Sequence, residues 1–280
     1  MRYSLSSRFR GTLLGAMLAE KNSQQVSKQT AKYLMPAMHS LIELGKFNGQ
    51  HWQEKLLAAE LMPEIAPTIA TLPLALFYHD NELKLKQNLL SSASIWQNEP
   101  IVQESILAVG YAIAQAVSAK LKSAQLIPHI LRFIENPQTD LSSKLTQVHQ
   151  LLAQGASLER TVTHLTANEP LSTSIALGFY CFLSSQEDYT LAVKRAQRIQ
   201  KPLASAIAGA LSGAYNSATS IPSSWQIAAL ARNPHSTEKE VLQLSDWLVA
   251  VWSGVYDYEV HPAELVTKTV IAAPRVIRWR

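Results

Sequence analysis

Eight histidines, one cysteine and 21 carboxylates are the side chains from which a metal or acid/base site would have to be drawn. His39, His51, His79, His129, His149, His164, His235 and His261 are scattered. No two have the i, i+4 spacing that sets a pair of imidazoles on one helix face, and no H-E-x-x-H run occurs. They read as isolated surface or core histidines. Cys181 stands among Leu177, Phe179, Phe182 and Leu183. That setting is one of a buried, inert thiol, and a lone cysteine forms neither a disulfide framework nor a Cys-based zinc site. No serine sits in a G-x-S-x-G elbow, and no glycine-rich phosphate loop is present. Asp80 with Glu82, and Glu187 with Asp188, fall at turns and face water rather than a substrate.

The carboxylates are more informative by where they are missing. None occurs between Glu20 and Glu43, and none between Asp188 and Glu238, an interval that carries five cations. Four of these, Lys194, Arg195, Arg198 and Lys201, close one predicted helix just ahead of Pro202, the predicted first residue of the next. Cations beside a helix N-terminus can hold a phosphate or an acidic partner loop. Cations in the last turn of a helix also simply complement its macrodipole. Both readings stay open here. At the C-terminus, Tyr256, Asp257, Tyr258 and Glu259, then Arg275, Arg278, Trp279 and Arg280, offer the aromatic and arginine groups that interfaces favour. Val266, Val270, Ile271 and Val276 give the same segment enough apolar material to fold back on its own domain, and Val266 to Trp279 has an extended pattern.

Composition narrows the class. Hydrophobic residues make up 47% of the 280 and charged residues 16%, which argues against disorder, coiled coil and a heavily charged nucleic-acid-binding arm. The net charge of +4 is spread evenly between the halves, so no polyanion-binding half stands out and no nucleic-acid partner is expected. Met1 to Arg10 lacks the apolar run of a signal peptide, and Gln103, Glu104 and Gln115 interrupt the most apolar stretch, Ile101 to Ala119. A cytoplasmic protein without a transmembrane segment is the expectation.

The elements that must position these groups read as helices. Apolar residues recur at three and four: Leu13, Leu14, Met17 and Leu18; Met38, Leu41 and Ile42 ahead of a stop at Gly45; Leu126, Ile130, Leu131 and Ile134; Leu141, Leu145, Val148, Leu151 and Leu152. Ile101 to Leu121 is apolar nearly all round and predicts a central helix. Ala204, Ala208, Gly209, Ser212 and Gly213 place small side chains on one side of the helix after Pro202, which lets a neighbouring backbone approach closely. Val241, Leu242, Leu244, Trp247, Leu248, Val251 and Trp252 predict a further strongly apolar helix, suited to cap the domain or form a dimer seam.

Two of these helices carry a resemblance. Arg10 to Glu20 (RGTLLGAMLAE) resembles the opening helix of the ADP-ribosylglycohydrolase family, relatives of the dinitrogenase reductase-activating glycohydrolases. Ala204 to Tyr215 (ASAIAGALSGAY), followed by Ile221, Pro222 and Trp225, is similar to its late signature helix. Ser40 to Phe47, Leu72 to Leu76 and Asp188 to Ala192 fall between them in the family's order. The resemblance covers roughly residues 8 to 230. It implies an all-α, orthogonally packed domain over residues 1–230; residues 231–280 fall outside it and read as a C-terminal helix and an extended basic, aromatic tail, packed on that domain or used as an interface.

The resemblance also implies cleavage of a glycosidic bond to ADP-ribose by two magnesium ions, and magnesium requires hard oxygen ligands, mainly carboxylate. This sequence departs from the family at each place that supplies them. Ala19 and Glu20 stand where the family has Gly-Asp. Lys28, Gln29, Thr30 and Ala31 replace Thr-Asp-Asp-Thr, and Gln200, Lys201, Pro202 and Leu203 replace the Asp-x-Asp-Thr loop. Trp96 and Gln97 replace Thr-His, and Ile69 and Ala70 replace Met-Arg. Glu20 is the only carboxylate at a matching position, so no catalytic set and no magnesium are expected. Glu20, Lys28, Gln29, Thr30, Trp96, Gln97, Gln200 and Lys201 then line a vestigial cleft. Lys194, Arg195, Arg198, Arg275 and Arg278 are candidate contacts for an anion or partner. The expected role is a binding or regulatory protein for a nucleotide-like molecule or a protein partner. The alternatives are a metal-independent glycohydrolase relying on Glu20 and a purely structural helical adaptor.

Overall fold

A computed structural model describes residues 3–19, 24–59, 67–96, 99–165, 170–230 and 237–255. Within these the chain is all α-helical, without a strand. In order the helices are α1 (Leu5–Ala19), α2 (Gln24–Leu44), α3 (Gly49–Ala58), α4 (Pro67–Ala70), α5 (Leu72–Phe77), α6 (Glu82–Ala93), α7 (Pro100–Val117) and α8 (Ser123–Ile134). They continue as α9 (Leu141–Ala153), α10 (Leu158–Leu165), α11 (Pro170–Leu183), α12 (Tyr189–Arg198), α13 (Pro202–Asn216), α14 (Ser223–Leu230) and α15 (Thr237–Ser253).

Local chemistry sets many of the boundaries. Asn48, Asn81 and Asp188 cap α3, α6 and α12 by accepting from the backbone N–H three residues on. Pro100 and Pro202 open α7 and α13, where a missing N–H costs nothing. Gly45 follows α2 in the left-handed region at φ +62°. The stretch Lys28 to Ala31, which stands where the family has Thr-Asp-Asp-Thr ahead of its second long helix, lies inside α2. Its reason is local: from Gln24 to Met35 there is neither glycine nor proline, and Gln, Lys and Ala are good helix formers.

The hub is α13 together with α1. Every residue of α13 from Ala204 to Ala214 is buried, and it packs on α1, α11, α12 and α7. Its tightest neighbour is α1, because glycine faces glycine. A Cβ on Gly213 would lie 1.9 Å from the Gly11 carbonyl oxygen, and one on Gly209 would lie 2.2 Å from that of Gly15. The small face foreseen on α13 is therefore a backbone-to-backbone contact. Around this pair α7 forms the second core helix, packed by α5, α6, α8 and α13. Its length and apolar composition would also suit a membrane span, but 78% of it is buried inside the fold.

The C-terminal helix closes the other side of α1. Arg10 donates through Nε and Nη2 to the two carboxylate oxygens of Asp246, both at 2.6 Å, and α15 also packs on α2. Its apolar residues Val241, Leu244 and Leu248 are fully or nearly fully buried in the main core. The tail from 256 to 280, including the extended pattern and Tyr256 to Glu259, lies outside the described residues.

Candidate functional site

The end of α1, the α12–α13 turn and the first turns of α2 are the elements to which the sequence assigns the cleft. Tyr189, the first residue of α12, is fully buried and donates its hydroxyl to the Gly15 carbonyl at 3.0 Å. Burial pushes its phenol well above the ordinary range, so it stays a neutral donor. Two turns later Gln197 Nε2 donates to the Ala19 carbonyl at 2.8 Å, satisfying one of the orphan acceptors that end α1. Gln200 then takes a left-handed conformation, φ +59°, and turns the chain into Lys201, the extended N-cap of α13. Lys201 supplies no side-chain cap, while its carbonyl accepts from Ser205 N at 3.2 Å. Around this turn Leu14, Ala19, Tyr189, Val193 and Ile221 form a small apolar cluster of their own.

Of the other residues assigned to the cleft, Thr30 is buried in α2, and Lys28 and Gln29 belong to the same helix, their side chains outside the description. Trp96 is buried edge-on against Trp52 of α3, ring centroids 5.2 Å apart. Glu20, Gln97, Arg275 and Arg278 lie outside the described residues. The oxygen donors described at the α1–α12–α13 junction are thus amides, hydroxyls and carbonyls. The nearest described carboxylate in sequence, Asp188, is engaged in capping α12. Among the described residues no three His, Cys, Asp or Glu side chains gather as a metal site would require.

The basic group on α12 divides by helix geometry. Lys194 is exposed. Arg198 reaches Glu159 of α10 at 3.6 Å, both largely exposed. Glu159 is held below the usual carboxylate range by its own backbone N–H and by Ser157, with Arg198 and Arg195 adding to this. Arg195 turns inward and donates from Nη1 to the Ser184 carbonyl at 3.1 Å and to the Ser184 and Ser185 hydroxyls at 2.9 Å each.

A family model for ADP-ribosylglycohydrolase matches residues 35–257, four-fifths of the chain. The chain belongs to that family. No curated protein matches it. The matched span starts inside α2 and runs past α15, so it takes in the last described helix and leaves out α1. As a family member the chain is all-α, and α13, the helix that resembles the family's signature, is the centre of the fold.

Several polar constellations escaped the sequence reading. Lys144, 4% exposed, directs its ammonium to Asp140 Oδ2 and to the Ser172 and Thr173 hydroxyls, each at 2.8 Å, tying α9 to α11. The i, i+4 spacing of Asp140 and Lys144 at a helix start was its one visible signal. Glu104 on α7, also buried, accepts from the backbone N–H groups of Gln138 and Thr139 and from the Thr139 hydroxyl. Ser40, His51 and Glu43 form a chain: Ser40 Oγ lies 3.0 Å from His51 Nδ1, and His51 Nε2 lies 3.3 Å from Glu43. Ser40 is 2% exposed on an inner helix face, so this chain braces α2 on α3 and offers no accessible nucleophile. Cys181 is fully buried, and burial pushes its thiol up to about 12.

Proposed function

We propose that this ADP-ribosylglycohydrolase-family chain does not carry out magnesium-dependent hydrolysis and acts in the cytoplasm as a binding or regulatory protein. Its ligand is a nucleotide-like molecule held at the α1–α12–α13 junction or a protein docked on the C-terminal segment. The observation that carries the reading is Lys201 as the N-cap of α13, with no carboxylate between Asp188 and Glu238. A magnesium pair needs several anionic oxygens to offset its charge, and an ammonium beside it adds repulsion instead. The residues described at the junction do not fit such a pair. Lacking the metals, the chain has no described group placed to activate water for attack at the ribose.

The test is an assay of arginine-linked ADP-ribose hydrolysis, run with magnesium and with chelator, beside a thermal-shift titration with ADP-ribose. The expected result is no turnover in either condition and a stabilisation by ADP-ribose that does not depend on magnesium. Magnesium-dependent turnover overturns the proposal. Turnover that survives chelator and is lost in Glu20→Gln replaces it with a metal-independent hydrolase. With no shift from ADP-ribose, loss of protein partners on truncation after Val255, which keeps the core helix α15, is what the docking version requires.

A further inference from the structure

On the far side of α12 from the family's cleft lies a cavity of about 490 Å³, bounded by α8, α9, α11 and α12. Gln197 and Arg195 are two residues apart, about 200° around a helix. Gln197 therefore meets α1 while Arg195 faces α11 and this cavity. We propose that this cavity is a binding site for a small organic anion, an oxyanion group on a compact apolar body, with Arg195 as its anchor.

The charge of the lining supports this first. It contains Arg195 and His149, the hydroxyl-bearing Ser123 and Ser184, and no aspartate or glutamate. Its volume lies within the range of about 300–1,000 Å³ usual for small-molecule sites. Arg195 is already fixed: its Nη1 is bonded to three oxygens of Ser184 and Ser185. No hydrogen bond of the described residues engages its Nε or Nη2. Those two donors form the straight edge of the guanidinium that takes a carboxylate or phosphate with two parallel bonds. An anchor held before the ligand arrives loses little side-chain entropy on binding. The floor is equally fixed, since Tyr180 donates its hydroxyl to the Ala156 carbonyl at 2.5 Å. Leu152, Ala153 and Leu183 supply the apolar part, and beside Gly155, at φ +61°, a Cβ would meet nothing within 4 Å. Glu159, which feels the charge of Arg195, sits outside the lining and pairs with Arg198. By contrast a second cavity, about 630 Å³ between α6, α7 and α8, brings its own acids, Glu82 and Glu135, and Lys86 is paired with Glu135 at 2.8 Å.

Isothermal titration of the full chain with phenyl phosphate, benzoate and inorganic phosphate tests the site. Phenyl phosphate and benzoate should bind, and inorganic phosphate should bind at least about tenfold more weakly because it leaves the apolar part empty. Arg195→Gln should weaken phenyl phosphate by about tenfold or more, the worth of hydrogen bonds to a charged group. Arg195 also links α12 to α11, so Ala153→Trp, at an exposed lining position, provides a second variant that fills the cavity and leaves that link intact. It should abolish binding. Lys201→Gln, at the family's cleft, should leave binding unchanged. The proposal fails if neither organic anion binds at about 10 mM, if binding is unchanged in either folded cavity variant, or if Lys201→Gln abolishes it.

Discussion

Replacing Gly213 with alanine would place one methyl group where two helix backbones meet. The new Cβ would stand 1.9 Å from the Gly11 carbonyl oxygen and 2.5 Å from its carbonyl carbon. Ordinary contact requires about 3.4 Å, so α1 and α13 would have to part by roughly 1.5 Å. Neither obstacle is a side chain that can rotate away. Parting the two most extensively packed helices also loosens Tyr189 and the residues of α11 and α15 that rest on them. Overpacking of this kind costs about 1–3 kcal/mol or more, against a gain of roughly 0.5–1 kcal/mol from alanine's better helix propensity. The net expectation is a loss of about 1–2 kcal/mol, towards the upper end because both obstacles are backbone, which in a chain of this size lowers Tm by roughly 2–4 °C. Gly110→Ala is the matched control, because its Cβ would meet only the flexible tip of Leu89, at 2.5 Å. Thermal unfolding followed by circular dichroism should show Gly213→Ala melting several degrees below Gly110→Ala. If Gly213→Ala melts at or above the parent temperature, propensity has won and the helices do not touch as described.

Lys144→Met should cost about 2–3 kcal/mol in denaturant unfolding, less than the full figure for breaking a buried pair because Asp140 is 38% exposed. Stability should also depend on Asp140 in acid. Burial raises its carboxyl, but the bonds from Lys144 and Ser172 outweigh this and hold it below the ordinary value. A lowered folded value means stability is present above the unfolded value and lost as pH falls through the folded one. A Tm series from neutral pH to pH about 2.5 should fall less steeply for Asp140→Asn than for the parent over the acid end. Cys181 should fail to react with an aromatic disulfide reagent at pH about 8 until denaturant is added, and one equivalent of reaction in the native state would contradict its burial.

The helices were legible because their signals are local: apolar spacing of three and four, prolines at starts, glycines at stops. The small face of α13 was legible for the same reason, being a property of five residues in one turn-by-turn pattern. Its counterpart on α1, Gly11 and Gly15, was not read as a contact surface, since which helix lies opposite depends on the whole fold. Lys28 to Ala31 was read only by its register against the family pattern, and the local propensity of Gln24 to Met35, which favours helix, was passed over. The grouping of Lys194, Arg195 and Arg198 hid a division that only the azimuth on α12 reveals. Arg195 alone turns to the α11 end, where the serines that hold it sit ten and eleven residues away in sequence. Lys144 went unnoticed because two of its partners, Ser172 and Thr173, are uncharged and distant along the chain.

What holds the junction together bears on the metals. In this chain the end of α1, the start of α12 and the turn into α13 are joined by Tyr189 to Gly15, by Gln197 to Ala19 and by the glycine contact. Each is a contact between protein groups, and the proposed function has the junction close on these alone, without an ion. The consequence is measurable. A family site saturated a hundredfold above its dissociation constant would stabilise the fold by about 2.7 kcal/mol, and removing the metal would lower Tm by roughly 5 °C or more. For this chain Tm should be the same in excess magnesium and in excess chelator, to within about 1 °C. The same comparison in Lys201→Asp, which restores one carboxylate at the N-cap of α13, should remain flat, because one carboxylate does not offset two divalent ions. A magnesium-dependent rise in the parent chain would mean that carboxylates from elsewhere reach the junction and would refute the reading of Lys201 as its dominant charge.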